Sequence, residues 1–122
     1  LDMTIEVAER FRSNPGAQMT ILAHEYAHAF HYLRSDFVAP SNLMEYEHLT
    51  DLSTIALGMG ELTLKGRRVD DSSSGHIEII GYLSGDLLNH GHEMYNTMGG
   101  EYPSSRSMPH ATIKPGKAMS WT

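Results

Sequence analysis

Hydrophobic residues recur every three or four positions after the pair Asn14 and Pro15, as they do along one face of a helix. Asparagine can cap the free N–H groups at a helix start, and proline is tolerated at the first helical position, where no N–H bond is needed. The pattern predicts a buried helix from Asn14 to about Arg34. Its apolar positions are Met19, Leu22, Ala23, Tyr26, Ala27, Phe30 and Leu33.

A second segment with the same period begins at Pro40, where Ser41 or Asn42 can serve as the cap. Gly58 and Gly60 end it, because glycine is a poor helix former and is common just beyond a helix. This segment predicts a second helix. Its apolar positions are Leu43, Tyr46, Leu49, Leu52, Ile55 and Ala56.

A third helix is predicted between the cap candidate Ser84 and the pair Gly99 and Gly100, although Gly91 weakens its middle. Its hydrophobic positions are Leu87, Leu88, Met94, Tyr95 and Met98.

Alternating hydrophobic and polar residues indicate strands in the rest of the chain. Near the N-terminus, Ile5 and Val7 alternate with polar neighbours and predict a short strand, although the same stretch also fits a helix face. Leu62 and Leu64 predict a further strand-like piece, and residues 76–82 follow a polar loop and predict a hairpin. The combination predicts a compact α+β domain that is mainly helical with a small sheet.

The length and composition favour one folded domain. A chain of 122 residues with 40% hydrophobic content can build one core but is too short for two. Beyond the third helix, proline, glycine and serine recur with little periodicity. The sequence therefore predicts a folded domain over residues 1–98 and an extended C-terminal tail over residues 99–122.

Charge and residue usage exclude several functions. The net charge of -6 and the scatter of nine Lys and Arg residues argue against a nucleic-acid partner. The longest apolar stretch is far short of the roughly 20 residues that cross a bilayer, so we expect no membrane partner and a soluble protein, with the cytoplasm favoured. Cysteine is absent, so any metal must be held by nitrogen and oxygen.

Residues 24–28 read HEYAH, which matches the H-E-x-x-H pattern within the first predicted helix. His24 and His28 are four residues apart and project from one face, so both can reach one ion. A catalytic zinc usually has three protein ligands and one open position, so a third ligand is required. Glu25 stands beside the histidines, where it can act as general base toward a water molecule that the metal activates.

The second helix carries Glu47 and Asp51, an E-x-x-x-D pair on one helical face. Over roughly residues 21–60 the sequence resembles the gluzincin metallopeptidases of the thermolysin-like clan, in which H-E-x-x-H on one helix is followed by E-x-x-x-D on the next. The resemblance implies a zincin-like fold and one Zn²⁺ per chain, with Glu47 as third ligand. It also implies that Asp51 accepts the free N–H of a ligating histidine. Residues 47–60 and 81–84 also resemble small bacterial gluzincin-like proteins.

The sequence departs from one other zincin pattern and is compatible with another. A metzincin would have glycine at His31 and a third histidine at Arg34, so that clan is excluded. An aspzincin-like arrangement, in which Asp51 binds zinc and Glu47 is peripheral, is compatible with the spacing. His31 lies on the same face as the two motif histidines, and we expect it to hydrogen-bond Tyr46, Asp51 or solvent rather than the metal.

Peptide hydrolysis also requires a donor for the negative charge that develops on the carbonyl oxygen. Candidates on the third helix are His90, which we favour as a catalytic residue, and then His92. They are followed by Tyr95, Tyr82 and His76.

The sequence thus predicts a zinc metalloendopeptidase that acts on a peptide or protein substrate by metal-activated water with Glu25 as general base. The main alternative is a zincin-like regulatory or partner-binding module that holds metal without efficient hydrolysis. A structural zinc normally has four protein ligands and needs no general base, so the presence of Glu25 favours the enzyme. A helical domain without metal would require both motifs to be accidental.

The tail adds one hypothesis. It is too polar and rich in proline to fold alone, yet it carries Met108, Ile113, Met119 and Trp121 as potential anchors. Some very small gluzincins are similar in having a C-terminal stretch that folds back over the cleft. By that similarity the tail would limit substrate access.

Overall fold

The computed structural model describes residues 2–71, 73–99 and 110–116 of the chain. It confirms a compact α+β domain that is mainly helical with a small amount of sheet. In chain order the elements are strand β1 (Asp2–Ala8), a 3-10 turn (Glu9–Phe11), helices α1 (Pro15–Leu33), α2 (Leu43–Ala56) and α3 (Gly60–Lys65), strands β2 (Arg68–Asp71) and β3 (His76–Ile79), helix α4 (Gly85–Thr97) and strand β4 (His110–Gly116).

Side-chain caps start the three long helices where the sequence predicted them. The Asn14 side chain accepts a hydrogen bond from the Ala17 amide at 2.9 Å, at the start of α1. Asn42 caps α2 in the same way. Ser84 caps α4 by accepting from the Leu87 amide at 3.3 Å. Each cap satisfies a backbone donor that has no partner within its helix, so these starts are determined locally.

The main hydrophobic core lies between β1 and the first half of α1. Ile5 and Val7 point from β1 toward Phe11 and Ile21, and Ile80 closes the cluster from the segment after β3. This arrangement confirms the strand that the alternation near the N-terminus predicted. A second, smaller cluster joins α2 to α4 through Ile55, Leu83 and Leu88.

The prediction of a strand-like piece at Leu62 and Leu64 was wrong, because this segment forms helix α3. Six residues are too few for hydrophobic periodicity to separate a helix from a strand, so packing decides. The Thr20 hydroxyl donates to the Leu62 carbonyl at 2.6 Å, and the Thr63 and Thr54 hydroxyls lie 2.7 Å apart. These bonds tie α3 to both α1 and α2.

Strands β2 and β3 form the predicted hairpin, with Arg68 opposite Ile79 and Asp71 opposite His76. β3 ends at Ile79, earlier than the apolar run suggested. The next four residues, 80–83, make a turn around Gly81, whose φ of 102° lies in the left-handed region. We call residues 80–83 the 80–83 turn.

The second sheet pairs the two ends of the described chain. β4 lies parallel to β1, with Ile113 opposite Ile5 in the register. β4 belongs to the segment predicted as an extended tail, so this part of the tail adds a strand to the sheet. Met108, Met119 and Trp121, which the fold-back hypothesis invoked, lie outside the described residues. No helix among the described residues is long and apolar enough to cross a lipid bilayer.

Candidate metal centre

The two motif histidines and a glutamate come together between α1 and α2. His24 Nε2 lies 2.8 Å from Glu47 Oε2, and His28 Nε2 lies 3.3 Å from the same oxygen. The three potential ligand atoms all lie within 4.8 Å of one another. Because α2 packs along α1, the residues that the two helix motifs supply meet in one buried place.

Asp51 lies one helical turn beyond Glu47 and bonds the other nitrogen of His24. Its Oδ1 is 2.8 Å from His24 Nδ1, while its Oδ2 accepts the amides of Tyr82 and Leu83 at 2.7 and 2.8 Å. A carboxylate at Nδ1 keeps the proton on that nitrogen and leaves Nε2 for a metal. This arrangement supports Glu47 as ligand and Asp51 as the orienting group over the aspzincin-like alternative.

The charges of the site act on the pKa values of both members of this pair. Burial is the largest influence on the pKa of His24 and lowers it, but the hydrogen bond to Asp51 and the nearby carboxylates outweigh burial and raise it. For Asp51 burial would raise the pKa, and the bonds from His24 and the two backbone amides lower it instead. Asp51 is therefore favoured in its ionised form, and His24 is favoured in a form that keeps its proton next to Asp51.

His28 is the more exposed of the two motif histidines. Burial and the charge of His24 lower the pKa of His28, against the opposing influence of Glu47. Only neutral imidazole binds a metal ion, so a lowered pKa favours the ligating form of His28, whereas the raised pKa of His24 means that metal binding there would have to displace a proton.

Glu25 follows His24 on α1 and is almost inaccessible to solvent. The residue is 3% exposed, and its Oε1 has no hydrogen-bond partner among the described residues. Burial raises the pKa of Glu25 to about 7; Glu47 adds to the rise and His24 opposes it. A pKa near neutrality suits a group that must accept and then release a proton. An unpartnered buried carboxylate oxygen also calls for a ligand or water at this position.

The donor set fits a zinc ion. Two imidazoles and one carboxylate are a common ligand set for catalytic zinc, with a fourth position left open. Bonds of about 2.0–2.1 Å from a tetrahedral zinc put its ligand atoms roughly 3.3 Å apart. The observed separations of 2.8 and 3.3 Å between Glu47 and the two histidines are close to that spacing. All three ligand atoms lie within 4.8 Å of one another, so any wider pair would have to close when a metal binds.

Two tyrosines flank the histidines. The ring of Tyr82 lies 5.6 Å from that of His24, and the ring of Tyr46 lies 5.0 Å from that of His28, measured between centroids. Burial raises the pKa of Tyr82, and the charges of Glu47, Asp51 and Glu25 raise it further. The negative charges of the site's carboxylates therefore act on the Tyr82 phenol.

The other candidates for carbonyl-oxygen stabilisation lie elsewhere. His90 is exposed on α4, and within the described residues no hydrogen bond or ring contact joins it to His24, His28 or Glu47. His92 lies against Gly60, where an added Cβ would clash with its ring, and the Tyr95 hydroxyl lies near Gly58. His76 is exposed on β3. Of the five candidates, Tyr82 is the one that the fold brings beside a motif histidine.

His31 does not have the partners that the sequence suggested. Its Nε2 lies 2.8 Å from the Ser53 hydroxyl, which itself donates to the Leu49 carbonyl, so the histidine is the donor. Its ring stacks on Phe37 with centroids 4.1 Å apart. The predicted bond to Tyr46, Asp51 or solvent was wrong, because Ser53 on the adjacent turn of α2 fills that position. Burial and the charges of His28 and His24 lower the pKa of His31 to about 4.

Two residues near the site had no role there predicted from the sequence, although Gly81 belongs to the stretch 81–84 that resembles small gluzincin-like proteins. Arg67 is nearly buried and donates to the Leu83 carbonyl. Gly81 approaches the Asp51 carboxylate so closely that an added Cβ would lie 3.3 Å from Oδ2. Neither belongs to a metal-binding motif, so only their long-range contacts reveal them.

Comparisons with protein-family models, with curated proteins and with solved structures gave no match.

Proposed function

We propose that this chain is a zinc-dependent metalloendopeptidase in which His24, His28 and Glu47 hold one zinc ion. The observation that carries the proposal is the meeting of these three side chains beside Glu25, whose Oε1 is buried without a partner. When bound, zinc supplies the positive charge that polarises a peptide carbonyl and makes water more acidic.

Glu25 is the general base of the proposed reaction. Its carboxylate takes a proton from the attacking water and passes it to the amine nitrogen as the peptide bond breaks. In the metal-free chain burial raises the pKa of Glu25 to about 7, so the carboxylate can take up a proton near neutral pH. The positive charge of a bound zinc would lower the pKa of Glu25 and keep it ionised before the reaction.

Tyr82 takes the part that the sequence assigned to His90. Its ring lies beside His24 and the charges of the nearby carboxylates raise its pKa, whereas His90 is exposed on α4. A phenol O–H can donate to the carbonyl oxygen as negative charge develops there. Asp51 orients His24 and takes no part in proton transfer to the substrate.

The buried general base also favours hydrolysis over a module that only binds metal or a partner. A structural zinc normally takes four protein ligands and leaves no open position. Three ligand groups come together here, and the nearby carboxylate of Glu25 has an unpartnered oxygen. Burying such a carboxylate costs free energy, which a catalytic role explains.

The experiment combines metal analysis with peptide cleavage. The purified chain is loaded with zinc, dialysed and analysed for metal, then incubated with an unstructured protein such as denatured casein. We expect about one zinc per chain and cleavage that a chelator abolishes and added zinc restores. His76→Gln is the matched control, because it removes an exposed histidine on β3 that does not belong to the metal-ligand group. A chain that binds zinc tightly and cleaves no peptide would favour the binding module instead.

A further inference from the structure

Arg67 is a nearly buried cation outside the metal-binding motifs. It is 8% exposed, and none of the ion pairs found among the described residues includes it. Its NH1 group is buried without a hydrogen-bond partner in that part of the chain. Burial of a charged side chain without a direct ion pair is costly, so its position calls for a specific reason.

Its contacts hold both ends of the 80–83 turn. The Arg67 carbonyl accepts the Ile80 amide at 2.7 Å, which fixes where the turn begins. The Arg67 guanidinium donates through NH2 to the Leu83 carbonyl, which fixes where it ends. Between these two points the chain passes through Gly81, whose positive φ produces the sharp bend.

The amides of this turn are the donors that hold Asp51. Tyr82 N and Leu83 N both bond Asp51 Oδ2, and the remaining oxygen of Asp51 bonds His24 Nδ1. A continuous chain of hydrogen bonds therefore runs from Arg67 through the turn and Asp51 to the imidazole of His24. The positive charge of Arg67 and the negative charge of Asp51 also attract each other.

We infer that Arg67 is a positioning residue of the metal centre, which holds the 80–83 turn so that its amides orient Asp51 and thereby His24. The inference rests on the proposed zinc site. Without Arg67 the turn would lose its anchor at Leu83, and the two amides would no longer be held toward Asp51. The His24 ring would then be less well ordered toward the metal, as when an outer hydrogen-bond partner of a ligand is removed.

The test uses two substitutions of Arg67 and one neighbouring control. Arg67→Met removes the donor and the charge but keeps an apolar stem, whereas Arg67→Lys retains a cation that can reach the Leu83 carbonyl. Arg68→Met is the matched control, because Arg68 is exposed and bonds Asp70 on the hairpin. We expect zinc affinity to fall about 10–100-fold in Arg67→Met, to recover at least partly in Arg67→Lys and to stay unchanged in Arg68→Met.

Two readouts separate positioning from general destabilisation. The visible absorption spectrum of the cobalt-loaded chain reports ligand geometry, and it should change in Arg67→Met but not in Arg68→Met. In an Asp51→Asn background, Arg67→Met should cause little further loss of zinc affinity, because the residue it acts through has already been altered. Full additivity of the two losses, or a folded Arg67→Met chain with unchanged zinc affinity and cobalt spectrum, would overturn the inference.

Amide hydrogen exchange in the metal-free chain tests the same contacts without zinc. Arg67→Met, or Arg67→Gln if the first variant does not fold, should speed exchange at Tyr82 and Leu83 more than Arg68→Met does. Equal exchange in the substituted and control chains would also overturn the inference. A wild-type chain that binds zinc but cleaves no peptide would contradict the peptidase proposal alone. Failure of that proposal and failure of the Arg67 inference are therefore distinguishable.

Discussion

Asp51 and His24 form a buried pair in which Oδ1 lies 2.8 Å from Nδ1, and both residues are only 2% exposed. The bond turns the other ring nitrogen of His24 toward Glu47. A single carboxylate on α2 thus determines how a histidine on α1 faces the proposed metal.

Replacement of Glu25 by glutamine should abolish hydrolysis while zinc stays bound. Glutamine keeps the shape of the side chain but cannot accept a proton, and general-base catalysis typically contributes about 10²–10⁴-fold to the rate. Turnover on an unstructured peptide and zinc content are measured together. Glu45→Gln is the control, because Glu45 is exposed at the start of α2 and should leave both values unchanged. Wild-type turnover by the Glu25 variant would refute the mechanism.

Substitutions of the two α2 carboxylates should rank in a definite order. Asp51→Asn should weaken zinc binding about 10–100-fold, because it disturbs the orientation of His24 without removing a ligand. Glu47→Gln should weaken it more, since it removes the charged ligand itself. Zinc affinities are determined by competition with a chelating indicator. A larger loss in Asp51→Asn than in Glu47→Gln would instead support the aspzincin-like arrangement.

The bend at Gly81 should tolerate no side chain. Its φ of 102° disfavours any L residue, and an added Cβ would press on Asp51 Oδ2 at 3.3 Å. Gly81→Ala should therefore lower the free energy of unfolding by about 1–3 kcal/mol and weaken zinc binding as well. Urea unfolding and zinc titration measure the two effects. Gly85→Ala is the control, because beyond its chain neighbours and its own helix backbone no atom of the described residues lies within 4 Å of an added Cβ, and the stability of this variant should not fall.

The free energy of unfolding should depend on pH in part through the titration of His31. Its folded-state pKa of about 4 lies below the usual value of 6.5. The unfolded chain therefore takes up a proton first as the pH falls. The stability that His31 contributes is fully present above pH 6.5 and is lost as the pH falls toward 4, for a total of about 3 kcal/mol.

His31→Gln should flatten that pH dependence. The free energy of unfolding of the metal-free chain is measured by urea titration at several pH values between 7 and 4. The variant should lose less stability over this range than the wild-type chain, whereas His76→Gln, at an exposed position, should match the wild type. Equal pH slopes for wild type and His31→Gln would contradict the assignment.

Removal of β4 should destabilise the domain. β4 pairs with β1 along the full length of both strands, and Ile5 and Val7 of β1 belong to the main core. A chain that ends at Gly99 should therefore unfold at a lower temperature, because β1 loses its hydrogen-bonded neighbour. Thermal unfolding and peptidase activity are followed together. Higher activity with unchanged stability would support the hypothesis that the tail limits access to the cleft.

The sequence by itself determined the elements that depend on neighbouring residues. The side chains of Asn14, Asn42 and Ser84 and the helical spacing that follows them predicted α1, α2 and α4 with their starts. The HEYAH motif and the Glu47 and Asp51 pair identified the same residues that the structure brings together. These signals act within one or two helical turns, so a linear pattern contains them.

The tertiary structure alone decided the features that depend on distant contacts. It made residues 60–65 a helix through bonds to α1 and α2, and it placed β4 beside β1. It also brought Tyr82, rather than His90, beside His24 and placed Arg67 behind the 80–83 turn. Residues far apart in sequence make these contacts, and local periodicity contains no information about which distant partner will satisfy a buried polar group.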